Sequence, residues 1–180
     1  MMQLRFIFRD WRRDERGTIT IEFLLWLPVL AFWFVGSAAF FDAYKSRNDA
    51  AKAAHTLSDI ASRQIEISDA FLDELYVLEN NLLPRAPAGK RLRVSSVQYT
   101  AVDDTYQVLW SQPLGGGVVM ASADIPLTIL PVMADLDTVI LTELSTPYQP
   151  FTNWAKIEVT EWSFTLVSRP RFVSSIAKIN

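Results

Sequence analysis

The chain has 180 residues, no cysteine, one histidine and a net charge of −3, and half of its residues are hydrophobic. Without cysteine there is no disulfide, thiolate nucleophile or Cys-based metal site, and the mild acidity with scattered Lys and Arg leaves no nucleic-acid footprint. The mean hydropathy is nevertheless positive, largely because of residues 18–41, which is atypical of a soluble protein.

Residues 1–17 carry Arg5, Arg9, Arg12, Arg13 and Arg16 against Asp10, Asp14 and Glu15, a net +2 that leaves −5 for the other 163 residues. A basic leader before an apolar run predicts a cytoplasmic N-terminus, although Lys45, Arg47 and Lys52 follow soon after the run. Residues 23–41 hold 19 uncharged positions. As a helix they extend about 28 Å, against a hydrocarbon core of roughly 30 Å. Glu22 is the anomaly, because a carboxylate at the edge of a membrane helix costs on the order of 1 to 3 kcal/mol unless it is partnered. Pro28 lacks the N–H that would bond the Leu24 carbonyl, which predicts a kink or local unwinding there. Gly36, Ser37, Ala38 and Ala39 form a small-residue surface suited to close helix approach.

Ala50, Ala54, Leu57 and Ala61 fall at i, i+4, i+7 and i+11, so the helix is expected to continue beyond the membrane to about residue 64. After a β-branched interruption at Ile65-Glu66-Ile67, Ser68 is placed as an N-cap and Phe71, Leu75, Leu78 and Leu82 as the apolar stripe of a second helix of about 13 residues. Residues 84–89, with Pro84, Pro87 and Gly89, are a linker or turn. Strands are expected at 92–100 and 105–111 around a hairpin turn holding Asp103 and Asp104, at 139–144, and at 154–167. The last carries Ala155, Ile157 and Val159 on one parity and Trp162, Phe164 and Leu166 on the other, which predicts a bulge near Thr160-Glu161. Gly115-Gly116-Gly117 breaks the pattern, and residues 124–137, with Pro126 and Pro131, are too proline-broken for a long helix. The expected fold is α+β: a basic cytoplasmic leader (1–17), a transmembrane segment (18–41), an extracytoplasmic helical region (42–83) and a β-rich extracytoplasmic domain built on an antiparallel sheet (84–180).

The junction Arg16-Gly17-Thr18 admits three readings. One is cleavage after Gly17 by a prepilin-type membrane peptidase, which leaves the apolar segment as the mature N-terminal helix with Glu22 as its fifth residue. Another is a secretory signal cut after Ser37-Ala38-Ala39. That one must explain an unusually long apolar run, a glutamate at its start, and a helix pattern that continues past Phe40-Phe41. The third is an uncut anchor carrying an extracytoplasmic binding module or adhesin.

Arg16-Gly17, Glu22-Phe23, Pro28 and Leu30, followed by an Ala-rich polar helix, resemble the N-terminal motif of the TadE-like pseudopilins of the tight-adherence (Tad, or Flp) pilus system. The later Val139-Ile140-Leu141-Thr142-Glu143-Leu144 with Pro147-Tyr148-Gln149-Pro150 resembles a strand and proline-aromatic turn of that family. The resemblance is specific over residues 12–54 and departs at Thr18, where pilins of the broader type IV class usually have phenylalanine. It implies a minor pilin of the inner membrane with no catalysis and no cofactor or metal of its own. The implied partners are the lipid bilayer, a prepilin peptidase, other pilins or pseudopilins and the pilus assembly machinery. Gly17 and Thr18 would be the processing residues, and Glu22, Phe23 and Pro28 would serve subunit packing or assembly.

Other polar groups carry less. His55 lies on the polar helix without a nucleophile or metal partner. The Gly115 run lacks the Gly-Lys-Ser/Thr continuation of a phosphate loop. Glu158 and Glu161 point to opposite faces of an unbroken strand. Trp110, Trp154 and Trp162 occupy strand positions suited to a core or an interface.

Overall fold

A computed structural model describes residues 18–152 and 160–179. The leader with Gly17, and the positions of Trp154, Ala155, Ile157, Glu158 and Val159, lie outside the described residues. The protein is α+β, with two compact units that divide between Phe41 and Asp42.

The first helix, α1 (Thr18–Ser62), is continuous through Pro28, so of the expected kink or local unwinding the unwinding does not occur. Its apolar half includes a stretch with mean hydropathy 2.0, of which 6% is buried. It is long and apolar enough to cross a membrane. Its polar half belongs to the second unit, where Ala50, Ala54, Leu57 and Ala61 are fully buried.

After α1 come β1 (Glu66–Ser68) and α2 (Asp69–Leu82). The Ser68 hydroxyl accepts from the Phe71 N–H, the expected N-cap. The buried face of α2 is Leu72, Leu75 and Glu79, while Leu82 is exposed. The apolar stripe expected at Phe71, Leu75, Leu78 and Leu82 is therefore rotated by about one residue.

The main sheet comprises β2 (Arg91–Thr100), β3 (Thr105–Leu114), β4 (Thr138–Tyr148) and β5 (Thr160–Ser168), antiparallel in the order β3-β2-β4-β5. The expected hairpin is present, with Asp104 at φ 49° in its turn. Both prolines inside strands lie where a missing N–H costs little. Pro113 is on edge strand β3, and Pro147 lies beyond the last β2 partner of β4, Ser145. That is why β4 runs on through a segment expected to be a turn. The register of β5 against β4 is regular from Thr160 onward; the predicted phase switch falls where the described strand begins.

The two faces of the sheet have separate cores. On one, Leu92, Val94, Ile140 and Leu144 pack with the α1 alanines and with Leu72 and Leu75 of α2. Small residues on the helix let it approach the large side chains of the sheet closely. On the other, Val97, Val139 and Leu141 pack under Met120, Ile125 and Met133 from the irregular segment after β3. A bulge links the two faces: Ser96 pairs with Trp110 but Val97 pairs with Val108, leaving Leu109 unpaired. Two residues of the same parity thereby serve opposite cores.

A short parallel pair that the sequence did not suggest closes the domain. The strand β6 (Ala177–Ile179) lies beside β1, with Ile67 opposite Lys178. Trp110 Nε1 donates to the Ile176 carbonyl at 2.8 Å, and Lys178 pairs with Asp69 at 2.8 Å.

Candidate functional site

Thr18 opens α1, and Glu22 follows it by four residues, so the two lie one turn apart on the same helical face. Glu22 lies just past the first turn of α1, which holds no acidic residue of its own. Glu22 and Pro28 are exposed and Phe23 is 59% exposed. Leu25, Trp26, Leu30, Phe32 and Trp33 along the same segment are exposed as well. A helix with apolar side chains on all sides and so little burial needs lipid or other helices around it. Within the small-residue surface, Gly36 has no heavy atom within 4 Å of where a Cβ would stand, whereas Ala39 is buried.

In the second unit the polar side chains mostly fasten elements together. Arg63 and Arg171 both pair with Asp59, and the Arg171 N–H donates to the Ser62 carbonyl, tying the C-terminal segment to the end of α1. His55 lies beside this cluster with Ser58. The Ser58 hydroxyl is hydrogen-bonded to Ser168 at 3.1 Å, and no hydrogen bond joins His55 to Ser58 or Asp59 among the described residues. On the sheet, Arg93 holds Glu143 with two hydrogen bonds, which raises the Arg93 pKa. Glu161 accepts from Ser145 and Arg91, and both hydrogen bonds lower its pKa. The Asp103-Asp104 turn is braced by the Tyr99 hydroxyl, which donates to Asp104 at 2.8 Å.

Trp110 and Trp162 are half-buried against the helix-facing core. Gly115 has φ +70°, and a Cβ there would fall 2.3 Å from the Lys90 carbonyl oxygen and 2.5 Å from the Tyr76 hydroxyl. The glycine run is thus a turn against which α2 and the start of β2 pack closely.

Two features escaped the sequence reading. Glu79 is fully buried, both of its oxygens lack hydrogen-bond partners among the described residues, and desolvation pushes its pKa up to about 7 despite the opposing charge of Lys90. The signal was its spacing, seven residues after Leu72. The second is Tyr148, placed in a turn by its neighbouring prolines. It ends β4 and donates its hydroxyl to Asp42 at 3.0 Å, and burial followed by that hydrogen bond pushes its pKa up to about 12. Comparison with protein-family models, curated proteins and solved structures finds no match for this chain.

Proposed function

We propose that this chain is a pilin-like, TadE-like component of a tight-adherence pilus, held in the inner membrane by residues 18–41 and processed after Gly17 by a prepilin peptidase. The observation that carries the reading is the abrupt join of an arginine-weighted leader ending in Gly17 to a helix that starts at Thr18 and carries Glu22 one turn later. Cleavage there frees an α-amino group with a reference pKa of about 8, largely cationic at neutral pH. Beside Glu22 of a neighbouring subunit that amine offsets the cost of taking the carboxylate into a helix bundle, and the pair sets the axial register of the packed helices. Phe23 and Pro28 shape the same contact surface.

Insertion and assembly separate in Glu22→Ala. The variant loses a charge from the apolar segment and should enter the membrane at least as well as wild type. Its co-purification with partner pseudopilins should fall about tenfold, as expected for a lost charge-assisted pair. Unchanged piliation and co-purification would reduce Glu22 to a headgroup contact. The reading also places the domain after residue 41 outside the cytoplasm. A reporter fused after Asn180 should be active only if its enzyme functions outside the cytoplasm. The opposite pattern would remove the orientation and the pilin-like reading with it.

A further inference from the structure

The second unit has a cavity of about 390 Å³, within the size range of small-molecule sites. Asp42, Lys45 and Asp49 reach it from α1, Arg85 from the connection after α2, and Thr146 and Tyr148 from the end of β4. The wall therefore holds two cations and two carboxylates. Lys45, Asp49 and Arg85 form no ion pair among the described residues. The Thr146 hydroxyl is buried without a hydrogen-bond partner among them. Asp42 is oriented by the hydroxyl of Tyr148. Opposite charges left unpaired around one cavity suit neither a simple anion nor a simple cation, each of which would face like charge. They suit a zwitterion.

Position along the chain narrows the choice of zwitterion. Asp42 directly follows the uncharged run, and the helix from Asp42 to Asp49 rises about 10 Å. The polar headgroup zone on each side of a bilayer is roughly 5–8 Å deep. That rise keeps Asp42 and Lys45 within headgroup depth and puts Asp49 just past its outer edge.

We propose that this cavity binds the headgroup of phosphatidylethanolamine, with Lys45 and Arg85 on the phosphodiester and Asp42 and Asp49 on the primary ammonium. The proposal rests on residues 18–41 spanning the membrane. Phosphatidylcholine carries the same phosphate, but its quaternary ammonium has no N–H to donate and is bound by aromatic cages. Here Tyr148 is the one aromatic in the wall among the described residues. Phosphatidylglycerol offers the phosphate and leaves Asp42 and Asp49 desolvated against a neutral glycerol.

The test is native mass spectrometry of the full chain, purified in detergent and incubated with equal amounts of the three lipids. Wild type should retain phosphatidylethanolamine about tenfold over either competitor. The paired variant Lys45→Ala with Arg85→Ala should lose that retention. The paired variant Asp42→Asn with Asp49→Asn keeps both cations and should shift retention to phosphatidylglycerol. Equal retention of the three lipids by wild type overturns the proposal, as does an unchanged preference in both paired variants. Binding of free phosphoethanolamine as tight as that of the lipid overturns it in favour of a soluble ligand. Vesicle flotation of the same wild-type sample separates the two failures. A chain that does not float fails the membrane reading, whereas one that floats without lipid preference fails this inference alone.

Discussion

Glu79 occupies a place on the buried face of α2 where the pattern set by Leu72 and Leu75 calls for an apolar side chain. Lys90 lies close enough to act on it electrostatically, yet its ammonium donates to the Leu83 carbonyl at 3.1 Å. The folded protein therefore holds a proton on Glu79 up to about pH 7, whereas the unfolded chain releases it near 4.5. A raised folded-state pKa makes the folded form bind more protons between those values, so this contribution to stability is greatest below pH 4.5 and declines as pH rises to 7. Glu79→Gln removes the titration and keeps the shape. On raising the pH from 5 to 8 in detergent, the variant should gain on wild type by on the order of 2 kcal/mol. Denaturation midpoints of the two proteins across that range check it. Parallel pH dependence would mean that the carboxylate finds a partner.

At the scale of elements, the polar half of α1 is defined by its buried alanines. Ala54 has no exposed surface, so Ala54→Leu adds volume where the helix meets the sheet and should cost about 1–3 kcal/mol. The exposed Lys52→Ala should stay within about 0.5 kcal/mol. Thermal unfolding of both variants checks the contrast, and equal stability would mean that the helix does not pack closely there. This stripe was legible because a helix with one buried face repeats its small and apolar residues at i, i+4 and i+7. The Ser68 cap and the Asp103-Asp104 hairpin were legible too, since local chemistry dictates them. Pairings between distant segments were not. The three residues of β6 have no alternation long enough to mark a strand, and their partner β1 is 111 residues away by the pairing Glu66↔Ala177. The Leu109 bulge and the passage of β4 through Pro147 likewise depend on which strands lie alongside. Glu79 was hidden because charge in sequence normally signals a solvated face. Of the residues around the cavity, Lys45 was seen as a topology signal and Arg85 and Tyr148 as parts of turns, since no local spacing brings Lys45 to Arg85 or Asp42 to Tyr148.

For the whole molecule, one helix serves two environments: an apolar half with almost no burial and a polar half that carries a sheet domain with two cores. In the account proposed here, the first half enters a bundle of like helices in the membrane and the second presents the domain outside the cytoplasm. The residues proposed for processing and packing, Gly17, Thr18, Glu22, Phe23 and Pro28, are a local motif that is read from the sequence alone. What surrounds them in an assembly depends on other chains. The central claim is that the leader is removed at Gly17. Intact-mass measurement of the protein isolated from its own membranes tests it most directly. The account predicts a mature chain that begins at Thr18, with Gly17→Ala retaining the leader while still inserting. A wild-type mass that still includes residues 1–17 would contradict it.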